Sequence, residues 1–312
     1  MPIRLEPDFP ATKVLEGEDI FAIDNQRANQ QDIRPLKLLI LNLMPNKIVT
    51  EIQLLRLISQ SPMQIDVDFM KVASHEHRNT SKTHLEKYYL EFSSIKDTCY
   101  DGLIITGAPI EKLPFEEVDY WEELTAIMSW SQTHVTSVIH ICWGAQAGMY
   151  YHYGIDKVMY EEKLFGIFTQ KLLTKHRLFR GFDDVFWMPQ SRYTGINEAQ
   201  IAASTLEVIA QDDQGASTIL LSEDGHNAFL LGHFEYDSGT LEGEYLRDLD
   251  KGLDTQKPEN YYLSSDEKVT NRWRAHAYLF FHNWINDVYQ TTPYELDKIV
   301  EIQSNKNSGL GS

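Results

Sequence analysis

The sequence predicts an α/β fold with a mostly parallel sheet that is covered by helices on both faces. Short apolar runs rich in β-branched residues alternate with runs whose apolar residues recur at helical spacing. The strand candidates are almost continuously apolar, as in strands buried on both faces, and their alternation with helices is typical of parallel sheets. With 312 residues, of which 42% are hydrophobic, the chain is long enough to bury a large core.

Strands and helices alternate in the N-terminal half. The run LKLLILNL is typical of a fully buried strand. In the helix that follows, Ile52, Leu55 and Ile58 recur at a spacing that places them on one face. The predicted strands are Leu36–Leu43, Gln64–Met70, Asp101–Pro109 and Val135–Cys142, and the predicted helices include Glu51–Ser59 and Asp119–Gln132.

The C-terminal half contains more predicted strands, joined by short polar turns. The strand candidates are FDDVFWMP, LEVIAQ, ASTILLS and NAFLLGHFEY, and two helices follow at Leu241–Leu253 and Thr270–Tyr289. No internal repeat or linker-like segment interrupts the chain, which predicts a single domain over residues 1–300. The polar end, which contains Gly and Ser, predicts a disordered tail over residues 301–312.

Composition argues against several classes of function. A formal net charge of −18, without a cluster of Lys and Arg, argues against a nucleic-acid partner, because binding phosphates requires such a cluster. No apolar run reaches the roughly 18 residues of a membrane span, and the N-terminus lacks a signal-peptide pattern. We therefore expect a cytoplasmic protein without a membrane partner. The two cysteines are far apart and match no zinc motif, so neither a disulfide nor a metal is expected.

Cys142 stands at a strand-to-helix corner, directly after VTSVIHI. Small residues follow in WGAQAG, which predicts a sharp turn of the nucleophile-elbow type. Such a turn exposes the thiol, the next helix N-terminus favours the thiolate, and the backbone N–H of Trp143 lies where an oxyanion hole needs a donor. His140, however, replaces the glycine expected two positions before the nucleophile. The motif alone leaves two interpretations, a nucleophile or a buried apolar thiol.

His233 and Glu235, in LGHFEYD, are separated by one residue at the end of a predicted strand. Residues two apart in a strand point to the same face, so both side chains are predicted on one face. A catalytic base needs a partner that orients it, and Glu235 is placed to serve His233 in that way. An exposed pair on an edge strand explains the same spacing. Together with Cys142, which also ends a strand, the two residues predict a catalytic set.

Motifs spread along almost the whole chain resemble those of one enzyme family. They are LNLMPNK, DGLIITGAPIEKLPFEE, HICWGAQAGMYYHYGI, KLFGIF, PQSRYT, LGHFEYD, EYLRDLDKGL and WRAHAYLFFHNWINDVYQTTPYEL, in this order. Through them the sequence from Met1 to about Tyr294 resembles the homoserine O-acyltransferases of the MetA type. One departure is Gln190 in PQSRYT, where many members of the family have histidine.

The resemblance implies a class I glutamine-amidotransferase-like, flavodoxin-like fold with an elaborated C-terminal part. It implies that Cys142, His233 and Glu235 carry a ping-pong acyl transfer from acyl-CoA to homoserine, the first committed step toward methionine. It also implies a homodimer and no cofactor beyond acetyl-CoA as co-substrate. The substrate-binding residues that it implies are Lys47, Ser191, Arg192 and Arg247.

Glu111 bears on the identity of the acyl donor. At this position, glutamate resembles the acetyl-transferring members of the family and glycine resembles the succinyl-transferring ones. A carboxylate in the acyl pocket would repel and crowd the distal carboxylate of a succinyl group. The expected reaction is therefore homoserine O-acetylation with acetyl-CoA. The alternative is that Glu111 is an exposed loop residue beside Lys112.

Other functions stay open on the sequence alone. Succinyl-CoA is the alternative donor, and serine is an alternative acceptor, because the two amino acids differ by one methylene, worth about 1–3 kcal/mol of discrimination. A glutaminase-type amidotransferase would share the elbow and the His-x-Glu pair. A non-catalytic binding protein would retain the same residues without forming an acyl-enzyme.

Overall fold

Twelve strands form one sheet in the part of the chain that the structure, a computed structural model, describes: residues 3–4, 9–17, 22–23, 34–75, 79–262 and 268–307. The strands are β1 Ile3–Arg4, β2 Ala22–Ile23, β3 Leu36–Leu41, β4 Ile65–Lys71, β5 Tyr89–Glu91, β6 Tyr100–Ile105, β7 Val135–Ile141, β8 Lys157–Leu172, β9 Val185–Ile196, β10 Glu207–Asp212, β11 Ser217–Leu221 and β12 Asn227–Leu230. The α-helices are α1 Pro10–Gly17, α2 Lys47–Ile58, α3 Lys82–Tyr88, α4 Phe92–Ile95, α5 Trp121–His134, α6 Trp143–Tyr153, α7 Glu198–Ala203, α8 Thr240–Asp250, α9 Arg274–Thr291 and α10 Lys298–Asn307.

The sheet has a parallel part and an antiparallel part. Strands β2-β1-β4-β3-β6-β7-β12 lie side by side and are parallel, and β5 pairs with β4 in the same direction. The sheet then continues through β11, β10, β8 and β9, which pair antiparallel. The predicted α/β fold with a mostly parallel sheet is therefore confirmed.

Helices cover both faces of the parallel part. In β3, Leu38 and Ile40 pack into the core on one face, whereas Leu39 and Leu41 pack into the core on the other. Helices α2 and α9 contact each other on the first face, and α5 and α10 contact each other on the second. Burial on both faces explains why these strands are almost entirely apolar. Among the residues described, no helix combines the length and apolarity that a membrane span requires.

Two features of the C-terminal half differ from the sequence-based expectations. Strands β8 and β9 form a long hairpin, of which only part of β9 was expected, because β8 mixes exposed and buried residues without a period. The tail predicted from residue 301 is helical as far as Asn307, where α10 ends. Gln303 of this helix is buried, and its Nε2 donates to the Val135 carbonyl at 3.2 Å. Residues 308–312 lie outside the described residues, and the single domain stays a prediction.

Three histidines in and near β7 are kept uncharged by burial. Burial lowers the pKa of His140 to about 3 and the pKa values of His152 and His226 to about 4. The His140 and His152 rings lie 6.3 Å apart, and His140 Nε2 is 3.0 Å from Asn227 Oδ1. These imidazoles stabilise the fold only while they remain neutral.

This cluster predicts a loss of stability in mild acid. Below the unfolded-state pKa of about 6.5 the unfolded chain binds protons that the folded chain does not, so each histidine lowers the unfolding free energy by up to about 1.4 kcal/mol per pH unit. The loss continues until pH reaches the folded pKa values of about 3 to 4. Denaturant unfolding between pH 7 and 4 measures this loss. In His226→Gln, the unfolding free energy should fall less steeply with pH, by the equivalent of about one proton taken up on unfolding. If the unfolding free energy of this variant depends on pH as steeply as that of the wild type, the lowered pKa of His226 is contradicted.

Candidate active site

Cys142 occupies the corner between β7 and α6 with a strained backbone. Its φ and ψ angles are 51° and −115°, and among the described non-glycine residues only Cys142 and Asn260 have positive φ. Hydrogen bonds on both sides hold this conformation: the Cys142 N–H donates to the Leu230 carbonyl at 2.7 Å, and the Gln146 N–H donates to the Cys142 carbonyl at 3.0 Å. Strain of this kind is typical of nucleophile elbows.

Two glycines allow the corner to pack tightly. A Cβ atom on Gly144 would lie 2.6 Å from the Thr106 carbonyl oxygen, closer than real Cβ atoms approach. A Cβ atom on Gly107 would lie 3.3 Å from the Cβ of Cys142. The first turn of α6 therefore sits directly against the end of β6. At this first turn the backbone N–H of Trp143 has no acceptor within the helix, while the Trp143 side chain is buried away from the site.

His233 and Glu235 are in contact, but not through the pleat of a strand. Strand β12 ends at Leu230, and both residues belong to the turn at residues 233–236 that follows it. His233 Nδ1 lies 2.6 Å from Glu235 Oε1, and the His233 N–H donates to the Pro189 carbonyl at 2.9 Å. The sequence therefore predicted the right pair, although a turn rather than strand alternation brings the side chains together.

Cys142 and His233 line the same cavity, and Cys142 is close enough to influence the charge state of the His233 ring, so that the three residues form one interacting group. Burial alone would lower the pKa of His233, but the charges of Glu235 and Cys142 and the hydrogen bonds with both raise this pKa well above its usual range. The imidazole is therefore poised to become an imidazolium beside a thiolate. This arrangement gives the sulfur a proton acceptor and gives the ring a partner that fixes its orientation.

A cavity of about 370 Å³ opens beside Cys142. The loops that follow β3 and β6 line it together with residues of β9 and α8. The residues predicted from sequence that line it are Cys142, His233, Glu111, Ser191 and Arg247. The candidate nucleophile, its candidate base and three candidate substrate contacts thus share one solvent-accessible space.

Lys47 does not line the cavity. Its side chain is buried, and Nζ donates to the carbonyl of Asn42 at 2.6 Å and to that of Met44 at 3.3 Å. Burial lowers the pKa of Lys47 to about 8, although the Glu51 charge opposes this shift. Lys47 therefore fixes the loop that carries Met44 and Pro45 into the cavity wall. Its direct contact with substrate stays a prediction.

Arg192 also lies behind the wall. It is 1% exposed, and its guanidinium donates to Gln190 Oε1, the Tyr160 hydroxyl and the Thr194 carbonyl. Because side chains alternate along β9, Ser191 faces the cavity while Arg192 points to the opposite side. Arg192 does not line the cavity in this conformation, and its direct binding of a substrate carboxylate stays a prediction. Gln190, which departs from the family pattern, supports Arg192 instead.

Glu111 and Arg247 do lie at the cavity, in different settings. Glu111 accepts hydrogen bonds from the Thr194 hydroxyl at 3.2 Å and from the Tyr193 N–H, and burial raises its pKa. It is thus not the exposed loop residue that the sequence left as an alternative. The side chain of Arg247 is 53% exposed and is paired with Asp248 at 2.8 Å. Its guanidinium is accessible to a ligand from the open side of the cavity.

Three polar residues in the cavity wall were not singled out from sequence. Glu244 accepts hydrogen bonds from Ser191 and from the Tyr236 hydroxyl, and Lys163 Nζ lies 3.4 Å from Glu244 Oε2. Their motifs, KLFGIF, GHFEYD and EYLRD, are among those of the resemblance. Besides its motif, the signal for Glu244 in the sequence is its position three residues before Arg247, which places both on one face of α8.

Comparison with known proteins decides the family. A model of the homoserine O-succinyltransferase family matches residues 2–294. The chain belongs to this family. Membership in the homoserine O-succinyltransferase family confirms the predicted resemblance and the predicted enzyme class, an acyltransferase.

Curated relatives match the chain over nearly its full length. A homoserine O-acetyltransferase of Lachnoclostridium phytofermentans is 52% identical over 301 residues, which are 95% of this chain and 100% of the relative. The homoserine O-acetyltransferase of Bacillus subtilis is 50% identical over the same shares of both chains. One from Geobacillus kaustophilus is 52% identical over 95% of this chain and 99% of the relative.

Solved structures of glutamine amidotransferases share the fold of this homoserine O-succinyltransferase family member. A glutamine amidotransferase from Thermotoga maritima has a TM-score of 0.55 at 10% identity and covers 82% of this chain and 99% of its own. One from Methylobacillus flagellatus has a TM-score of 0.54 at 12% identity, covering 85% and 97%. The predicted class I glutamine-amidotransferase-like fold is confirmed.

Proposed function

We propose that this protein transfers an acetyl group from acetyl-CoA to the γ-hydroxyl of homoserine through an acetyl-Cys142 intermediate, in the route to methionine. The observation that supports this most directly is the placement of Cys142 and His233 side by side in an accessible cavity, with His233 held by Glu235 at 2.6 Å. Full-length similarity to proteins named homoserine O-acetyltransferase supports the choice of substrates. The cytoplasmic location and the homodimer stay predictions.

In the first half-reaction, the thioester of acetyl-CoA is exchanged for a thioester on the enzyme. His233 takes the thiol proton, and Cys142 Sγ attacks the carbonyl carbon to form a new S–C bond. The tetrahedral intermediate collapses when the bond to the CoA sulfur breaks, and the imidazolium of His233 returns the proton to that sulfur. The Trp143 N–H at the start of α6 is the proposed donor to the oxyanion, and such donors are worth about 3–4 kcal/mol.

In the second half-reaction, homoserine discharges the acetyl-enzyme. The alcohol is a weak nucleophile at neutral pH, so His233 takes its proton as the oxygen attacks the acetyl carbon. The C–S bond then breaks and the Cys142 thiolate leaves, which regenerates the thiolate beside an imidazolium. Glu235 holds Nδ1 at 2.6 Å throughout, so the opposite ring nitrogen faces the reacting atoms.

The cavity contains a cationic and an anionic side chain, which can bind the α-carboxylate and the α-ammonium group of an amino acid. Arg247 is the accessible cation for the α-carboxylate, because its fork of donors matches a carboxylate. Glu244 is the proposed acceptor for the α-ammonium, since its carboxylate lines the cavity beside Ser191. The two residues lie three apart on α8, which places both contacts on one rigid element.

Glu111 is the proposed determinant of the acyl donor. It lines the same cavity as Cys142 and is held against β9 by Thr194. A succinyl group would bring its distal carboxylate toward this acidic side chain, which costs free energy through crowding, desolvation and repulsion. An acetyl group brings no second charge.

Glu111→Gly is therefore expected to raise the use of succinyl-CoA relative to acetyl-CoA. Removing the side chain frees space and removes the acidic group, and we expect the ratio of kcat/KM values to shift by about tenfold or more, equivalent to ~1.4 kcal/mol. Steady-state assays with both donors measure the ratio. Glu111→Gln, which keeps the size of the side chain, separates crowding from charge. If succinyl-CoA use does not rise in Glu111→Gly, the proposal that Glu111 determines the acyl donor is wrong.

Mass spectrometry of the intact protein tests the proposed function as a whole. Acetyl-CoA should add one acetyl mass to the protein, and homoserine should remove it with release of O-acetylhomoserine. A succinyl adduct formed in preference would reassign the donor, and faster discharge by serine would reassign the acceptor. Hydrolysis of glutamine without any acyl adduct would instead support an amidotransferase.

A further inference from the structure

Tyr236 connects the proposed base to the proposed ammonium site. Its ring is stacked on the imidazole of His233, with centroids 4.1 Å apart and planes 16° apart. Its hydroxyl donates to Glu244 Oε1 at 2.8 Å. A single side chain therefore contacts both the group that would activate the acceptor hydroxyl and the carboxylate that would bind the acceptor ammonium.

The position of Tyr236 is well defined by its surroundings. The residue is 8% exposed, and its carbonyl accepts a hydrogen bond from Trp273 Nε1 at 2.9 Å. Burial, the charges of Glu244, Glu235 and Cys142, and the hydrogen bond to Glu244 raise the pKa of the phenol well above its usual range. The hydroxyl consequently stays protonated and donates to Glu244.

Glu244 depends on Tyr236 for one of its two carboxylate oxygens. Oε1 accepts from Tyr236, whereas Oε2 accepts from Ser191 and lies 3.4 Å from Lys163 Nζ. Contacts at both oxygens fix the plane of the carboxylate and hence the direction in which it can accept from a ligand. Loss of the Tyr236 hydroxyl would leave Oε1 without this donor and free the carboxylate to rotate.

We propose that Tyr236 is a positioning residue that sets the distance between the acceptor's ammonium group at Glu244 and its hydroxyl group at His233. This inference rests on the proposed function and extends it, because the hydroxyl of Tyr236 acts only in the second half-reaction, when the amino acid is bound. The ring of Tyr236 acts in both half-reactions, since it supports the imidazole plane and faces the imidazolium that forms in each.

Two variants separate the two roles. Tyr236→Phe keeps the ring and removes the hydroxyl, so acetylation of Cys142 by acetyl-CoA should stay within about twofold of the wild-type rate. Discharge by homoserine should become slower, with kcat/KM falling about ten- to a hundredfold, mainly through KM, because a hydrogen bond to a charged group is lost. Tyr236→Leu removes the ring as well and should slow both half-reactions by more than about tenfold.

Rapid-quench mass spectrometry measures the half-reactions separately, without and with homoserine, and thermal unfolding verifies that each variant is folded. The proposal is supported if Tyr236→Phe is acetylated at close to the wild-type rate but discharged slowly by homoserine, while Tyr236→Leu is slow in both half-reactions. Discharge of Tyr236→Phe at the wild-type rate and KM overturns it, as does an equal slowing of acetylation and discharge in this variant. If the wild-type protein forms no acetyl adduct, the proposed function itself fails, and this inference fails with it.

Discussion

Cys142→Ala is expected to abolish both the acetyl adduct and turnover. Without the sulfur, no covalent intermediate can form, and the acceptor alcohol would have to attack the CoA thioester directly. Loss of a nucleophile in comparable hydrolases costs about 10⁶-fold in kcat, and we expect a loss of at least about 10⁴-fold here. Intact-protein mass spectrometry and a continuous assay for released CoA measure the two effects.

Cys99→Ala is the matched control, because Cys99 is the other cysteine of the chain and is also buried. Burial raises the pKa of its thiol, and it is not among the residues that line the cavity. This variant should acquire the same acetyl mass as the wild type. An adduct that persists in Cys142→Ala and disappears in Cys99→Ala would show that Cys99, and not Cys142, is the nucleophile.

Glu235→Gln is expected to lower kcat about 10³- to 10⁴-fold while leaving the fold intact. The amide keeps the size of the side chain but removes the charge that orients His233 and stabilises its imidazolium, and the corresponding change in a serine protease triad has an effect of about 10⁴-fold. The KM values for both substrates should change much less than kcat, since Glu235 does not line the cavity.

The pH dependence of this variant provides a second test. The charge of Glu235 helps to raise the pKa of His233 against the effect of burial, so its removal lowers that pKa. The imidazolium then loses its proton at lower pH, and the alkaline limb of the acetylation rate should move to lower pH. Glu235→Asp, which retains the charge, should move it less. A profile that shifts toward higher pH would contradict the electrostatic role of Glu235.

The sequence predicts the parallel half of the sheet well because burial on both faces leaves a simple signal. Strands β3, β6 and β7 are mostly apolar, β4 alternates Asp66 and Asp68 with apolar residues, and each predicted strand overlaps the observed one. The β8–β9 hairpin gives no such signal, because β8 is partly exposed on both sides along much of its length. Contacts between distant segments, rather than local pattern, specify it.

In the candidate site, too, the sequence reveals local motifs but not contacts between distant segments. Cys142 and the His233–Glu235 pair are recognisable because each is a short local motif with a chemical reason for its spacing. Lys47 and Arg192 also belong to motifs, but sequence does not show that their charged groups are occupied by backbone carbonyls. Tyr236 becomes visible as a site residue only through its stack with His233 and its bond to Glu244.

The parallel and antiparallel parts of the sheet contribute different residues to the site. The parallel half holds the strained elbow, where Gly144 tolerates no side chain. The antiparallel extension and α8 carry Ser191, Glu244 and Arg247, which line the cavity. A mutant library for new acceptor alcohols can therefore be directed at β8, β9 and α8, provided that it keeps Pro189 and Thr194, whose carbonyls accept hydrogen bonds from His233 and from Gln146 of α6.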